Sequence, residues 1–221
     1  MNRKTIGLAM CGSFCTFARV LDAFSALDRE QYDLVPIQSQ AAYSTDTRFG
    51  AAADFRARLE ALCGRPIIHT IEEAEPIGPK KLLDVLVIAP CTGNTLAKLA
   101  AGIADGPVTL AAKAHLRNER PIVLAVSTND GLAGNAASLG ALLNRRGYYF
   151  VPLARTVPSK SPVPSSPTSP SSPPPSPLPS KVSSSSRCSA GRGRNLAAAD
   201  YSFPDAKIPR PLPGQRAGHL L

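Results

Sequence analysis

One stretch constrains the fold more than any other: residues 84–105, DVLVIAPCTGNTLAKLAAGIAD. Residues 85–89 are a short unbroken apolar run ending at Pro90, the pattern of a strand buried on both faces. Residues 91–95 make a turn of small and hydrogen-bonding side chains, residues 95–101 have helical composition, and Gly102 closes the helix. Strand, loop and helix in that order are the repeating unit of an open α/β sheet. Such sheets bind ligands beyond the carboxyl ends of their strands, against helix amino termini. Thr92, Asn94 and Thr95, with the first amides of the helix, suit a phosphate or a polar heterocycle.

The same alternation runs through the first 153 residues. Residues 5–10 read as a buried strand and 11–13 as a turn. Residues 14–27 read as an amphipathic helix, with Phe14, Phe17, Ala18, Leu21, Phe24 and Leu27 spaced three and four apart. A strand is predicted over 32–37, a polar loop over 39–49, a helix over 51–63 stopped by Gly64, a short strand over 66–69 and an acidic connection over 71–79. Beyond the central stretch come a helix over 108–116, a strand over 121–127, a loop over 128–135, a helix over 136–146 and a last strand over 148–152. Strands alternating with helices at this spacing imply a parallel, doubly wound sheet.

After Leu153 the composition changes. Residues 158–179 alternate Pro and Ser, 183–186 are a serine run, and the remainder is basic and rich in Pro and Gly. Such a segment buries too little apolar surface to offset its chain entropy, so disorder is expected from about residue 155 onward. Nine basic residues stand in 154–221 against Asp200 and Asp205, which leaves 16 basic and 14 acidic residues in 1–153. The pI near 9.6 therefore describes the tail, and the body is not expected to bind nucleic acid. The five cysteines form no paired framework and no CxxC, which points to a reducing, cytoplasmic setting. No apolar run reaches the ~18 residues of a membrane span, and the basic start MNRKTIGLAM is read as a first strand.

Four loops are candidates for chemistry. Gly12, Ser13 and Thr16 lie between the first strand and its helix, where small residues and hydroxyls form an anion site; the same residues serve equally as a tight turn with Ser13 as helix cap. Ser44, Thr45, Asp46, Thr47 and Arg48 follow the second strand. Arg48 could grip a phosphate or a substrate carboxylate, or simply pair with Asp46 at the surface. In the central loop, Cys91 is read either as a thiolate favoured by the helix terminus or as a small buried apolar residue. Ser127, Asn129 and Asp130 form the fourth loop. Among the histidines, His69 reads as structural. His115 lies near a helix carboxyl end, where a cation is favoured, in a small basic cluster with Lys113 and Arg117. No metal-ligand spacing stands out, so no metal is expected.

The runs GSFCT (12–16), STDTRFG (44–50), EAEPIGPKKLLDV (73–85), IAPCTGNTLAKLA (88–100), AAKAHLRN (111–118), STNDGL (127–132) and YFVP (149–152) resemble the B-subunit family of dipicolinate synthases. That family lies within the flavoprotein superfamily of flavin-binding cysteine decarboxylases and flavin prenyltransferases. The resemblance covers about residues 4–153. It implies a three-layer, Rossmann-like and flavodoxin-like sheet for 1–153, with FMN at the central edge. By carry-over, Gly12, Ser13, Thr16, Ser44, Pro90, Thr92, Asn94, Thr95, Ser127 and Asn129 are the cofactor-binding positions, with Arg48 on the substrate. It also implies a cytoplasmic homo-oligomer in the mother cell of a sporulating bacterium. The partner expected is a separate A subunit that carries NAD(P), and the reaction is oxidation of dihydrodipicolinate to dipicolinate.

The chain departs from the superfamily in three ways. The decarboxylase histidine has no counterpart in 44–50, and Thr128 stands where the superfamily places Met. Cysteine decarboxylation is accordingly not expected, and a non-catalytic partner of the A subunit with an empty ancestral flavin site is the alternative function. The third departure is the switch to Pro/Ser-rich sequence after Leu153. It reads either as a frameshift or as a genuine disordered extension for an acidic partner.

Overall fold

The computed structural model of the chain describes residues 3–153. The expectation of disorder from residue 155 lies outside the described residues. Five parallel strands form one sheet: β1 (Lys4–Met10), β2 (Tyr32–Gln38), β3 (Val85–Cys91), β4 (Ile122–Val126) and β5 (Tyr148–Phe150), in the order β2-β1-β3-β4-β5. This is the flavodoxin-like order, so the expected fold class holds. Every residue of β3 is buried, as its unbroken apolar run requires of the middle strand of a sheet covered on both faces.

The helices are α1 (Phe17–Ser25), α2 (Gln40–Ser44), α3 (Ala52–Cys63), α4 (Ile71–Ala74), α5 (Gly93–Ala101), α6 (Pro107–Leu116) and α7 (Ala136–Leu143). Alternate strand residues face opposite layers. Ile6, Leu8, Met10, Leu34 and Val87 meet Phe17, Val20, Leu21 and Phe24 of α1 and Leu59 of α3. Ala9, Val35, Ile37, Leu86, Ile88, Ile122 and Leu124 meet Leu96 and Leu99 of α5, Val108 and Ala111 of α6, and Leu139 and Leu142 of α7. Burying one such Leu or Phe is worth about 1.5–3 kcal/mol, so the two layers supply most of the driving force.

Several local expectations are corrected. The predicted loop 39–49 holds α2, because the Ser39 hydroxyl accepts from the Ala42 amide and starts a helical turn. The predicted strand 66–69 shrinks to one bridge: the Ile68 amide donates to the Pro36 carbonyl and the Gln38 amide to the Ile68 carbonyl. The acidic connection 71–79 contains α4, started by a capping box between Thr70 and Glu73. The predicted helix 14–27 opens as a 3-10 turn, Phe14–Thr16, before α1. β3 runs through Pro90, with a cis Ala89–Pro90 bond, to Cys91, and α5 starts at Gly93 rather than residue 95.

Candidate functional site

In the order β2-β1-β3-β4-β5 the winding of the chain reverses between β1 and β3, which opens a crevice at their carboxyl ends. Three loops meet there. The Cys11 amide donates to the Pro90 carbonyl at 3.1 Å, and the Ser127 amide donates to the Cys91 carbonyl at 2.8 Å. The Ser13 and Ser127 hydroxyls lie 2.7 Å apart. Because β3 separates β1 from β4, this hydroxyl pair bridges the end of β3 and ties the first loop to the fourth.

Thr92 caps α5: its hydroxyl accepts from the Thr95 amide at 3.2 Å and lies 3.0 Å from the Thr95 hydroxyl. Thr16 donates its hydroxyl to the Ser13 carbonyl at 2.7 Å. Thr16 and Thr95 are thus buried and committed to holding the loops, while Asn94 and Asn129 are exposed at the edge. Pro90 is buried beneath them, and Gly12 lies beside α2, where a Cβ would sit 3.5 Å from that of Ala41. The amides of Gly93 and Asn94 open α5 and so have no intrahelical acceptor. Among the described residues Ser44 and Arg48 share no hydrogen bond with these three loops. Ser44 donates to the Gln40 carbonyl at 2.9 Å within α2. Arg48 is exposed, with its guanidinium 4.9 Å from the Phe49 ring centroid. Asp46 does not serve Arg48: its carboxylate accepts from the Ala52 amide at 2.7 Å and caps α3.

Burial decides the thiols. Cys11 and Cys91 are both fully enclosed. Burial pushes the Cys11 thiol up to about 11 against the lowering effect of the Thr95 side chain and Thr92 backbone. Burial, then the neighbouring Cys11, raises the Cys91 thiol well above its ordinary value. The thiolate reading of Cys91 is therefore overturned, because loss of solvation outweighs the field of the α5 terminus. The cationic reading of His115 is overturned as well. It is 1% exposed, its Nε2 lies 3.0 Å from the Pro121 carbonyl, and burial lowers it to about 4.

Two residues that sequence reasoning missed stand at this edge. Gln38 ends β2 fully buried, and among the described residues neither polar atom of its amide has a partner. A Gln closing the otherwise apolar run LVPI is the available signal. Asn135 lies over the start of α5, so that a Cβ at Gly93 would fall 2.4 Å from its Nδ2, and it donates to the Thr128 hydroxyl at 3.2 Å. A side chain at 93 would have to displace the Asn135 amide from this position. The edge thus offers neutral hydroxyls, side-chain amides, one orphaned buried amide and the positive end of a nine-residue helix. That donor set fits a hydrogen-bonding heterocycle bearing a phosphate. It contains no facing acid–base pair among the described residues.

The Flavoprotein family profile matches residues 1–141. The B subunit of dipicolinate synthase from Bacillus subtilis (strain 168) is 42% identical over 162 residues, 73% of this chain and 81% of that protein. The crystal structure of the dipicolinate synthase B subunit from Bacillus halodurans superposes with a TM-score of 0.63 at 36% identity, over 72% of this chain and 82% of that one. AnUbiX (PadA1), solved in complex with FMN and dimethylallyl pyrophosphate, shares the fold with a TM-score of 0.56 at 21% identity, over 73% of this chain and 85% of that one.

Proposed function

The chain belongs to the Flavoprotein family, and from that premise we propose that it is a dipicolinate synthase B subunit that binds FMN at the carboxyl edge of β1, β3 and β4. The observation that carries this reading is the meeting of three loops over the end of β3, held by the Ser13–Ser127 hydroxyl pair. The first amides of α5 and the Asn94 side chain would hold the FMN phosphate, in the positive field of the helix terminus. Asn129 and the orphaned Gln38 amide would orient the ring by hydrogen bonds, and burial of Gln38 would keep water from competing for them. Bound FMN supplies a two-electron acceptor. Arg48 would take a substrate carboxylate from the neighbouring turn. The overall conversion removes two hydrogens from dihydrodipicolinate: one electron pair, which FMN would only relay, would end with a hydride on NAD(P)+ at a separate A subunit, and one proton would leave to solvent. The domain is residues 1–153, acting as a homo-oligomer in the mother cell of a sporulating bacterium. No helix among the described residues is long and apolar enough to cross a membrane.

A second reading is favoured by the absence of a His in 44–50 and of a facing acid–base pair among the described edge residues. In it the chain is a non-catalytic partner that stabilises the A subunit. One experiment separates the two. This protein, a purified A subunit, dihydrodipicolinate and a nicotinamide cofactor are mixed with and without FMN, and dipicolinate is followed. Formation that needs both subunits and FMN supports the first reading. Formation that needs both subunits but ignores FMN supports the second. No gain over the A subunit alone overturns both.

A further inference from the structure

The opposite edge of the sheet carries a feature that the flavin site does not use. A cleft of about 540 Å³ opens between the carboxyl end of α5, the outer face of α6 and the turn that leads from α7 into β5. Strand β5 begins there, at Tyr148, so the cleft lies at the amino-terminal edge of a parallel sheet, away from the loops that follow β1, β3 and β4. Lys113, Arg117, Arg145 and Arg146 line it, and no carboxylate does.

Among the described residues none of these four cations forms a salt bridge. The acid nearest in sequence to the α5 side of the cleft, Asp105, is held by Lys98 at 2.7 Å. Arg145 is fixed in place: its two Nη atoms donate to the Leu99 and Ala100 carbonyls at 3.2 and 2.7 Å, which orients the guanidinium and closes the end of α5. Gly147 has φ of +86°, and a Cβ there would lie 2.9 Å from Leu116 Cδ2. This tight turn brings Tyr148, half-buried, against α6 and beside Arg145. Leu116 and Ile103 add apolar surface, and Ile103 remains 48% exposed. Three exposed cations without an ion-pair partner among the described residues, Lys113, Arg117 and Arg146, thus stand with the anchored Arg145 around an apolar floor that no carboxylate lines, a lining that attracts negative groups.

We infer that this cleft is a second ligand site, for a small organic polyanion with a flat apolar body, such as a nucleoside polyphosphate or an aromatic dicarboxylate. The volume suits a ligand of that size. The guanidiniums and the ammonium take the negative groups, the Tyr148 hydroxyl adds one neutral donor, and Ile103 and Leu116 cover the ring. The site is independent of FMN at the other edge.

The test is calorimetric titration of the full-length protein at low ionic strength with three probes: ATP, pyridine-2,6-dicarboxylate and inorganic pyrophosphate. The comparison protein is Lys113→Gln/Arg117→Gln/Arg146→Gln, which leaves the structural Arg145 alone. Saturable binding of ATP or of the dicarboxylate is expected, stronger than that of pyrophosphate and about tenfold or more weaker in the triple variant. The unfolding midpoint and the FMN titration are expected to stay put. If the triple variant does not fold, Lys113→Gln alone is titrated, with a smaller loss expected. ATP binding identifies a nucleotide site and dicarboxylate binding a feedback site. Four outcomes overturn the inference: no saturable binding, equal binding by wild type and variant, pyrophosphate binding as tightly as the tighter of the two ring-bearing probes, or tighter binding of an octaglutamate peptide that neither ring-bearing probe displaces.

Discussion

His115 shows how one residue's environment sets a property of the whole protein. Lys113 and Arg117 stand four apart on one side of α6, and the helical period turns the residue midway between them to the opposite face, into the core. The run KAHLR therefore reads as a solvated basic end although its middle residue belongs to the interior. Buried and bonded to the Pro121 carbonyl, His115 stays neutral in the fold down to about pH 4, whereas in the unfolded chain it protonates near 6.5. Between those values the unfolded state binds the extra proton. Stability is then complete above pH 6.5 and falls as the pH drops toward 4, by about 3 kcal/mol at 1.36 kcal/mol per pH unit. Urea unfolding across pH 4–7 is expected to show this slope, and His115→Gln to flatten it. Gln38 makes the converse case: both its amide atoms are buried without a partner. Gln38→Met is expected to raise stability by about 1–3 kcal/mol in urea unfolding without ligand. It is also expected to weaken FMN binding, followed by flavin fluorescence. A stabilised variant with unchanged affinity would assign Gln38 to the core alone.

Elements with a strong period were legible in the sequence, and elements made by one side chain were not. The apolar run of β3, the three-and-four spacing on α1 and the Gly after α3 and α5 each point to one local structure, and their alternation implies a parallel sheet but leaves the order of its strands open. Helix α2 depends on the Ser39 hydroxyl and α4 on the Thr70–Glu73 box, features that compete on equal terms with loop in the sequence alone. The bridge at Ile68 depends on the edge of β2, a neighbour that is distant in the chain. At the candidate site, the hydroxyl-rich loops were visible as composition. Which hydroxyls are committed to caps, and which face the crevice, depends on packing. Thr92 is such a cap. Thr92→Ala is expected to cost about 1 kcal/mol by leaving the Thr95 amide without its acceptor, and Thr92→Ser to restore most of it. Chemical unfolding of the three proteins checks both.

At the scale of the molecule, the parallel sheet gives the protein two unlike ends: neutral hydroxyls and amides at one edge, and at the other a cluster of cations that no described carboxylate pairs with. The neutral end is held by a bond between residues far apart in the chain. Ser13→Ala and Ser127→Ala are expected to be non-additive, with a coupling of about 0.5–1.5 kcal/mol in a double-mutant cycle of urea unfolding. Additive losses would mean that each hydroxyl acts through other partners. The hydroxyl pair also closes a circuit: β1, its loop, the loop after β4, and β3 through the Cys11–Pro90 and Ser127–Cys91 amide bonds. A closed circuit opens as one event. Amide hydrogens around residues 11–16 and 127–131 should then exchange with deuterium at a shared rate, and cutting either hydroxyl should let the two segments breathe on separate clocks.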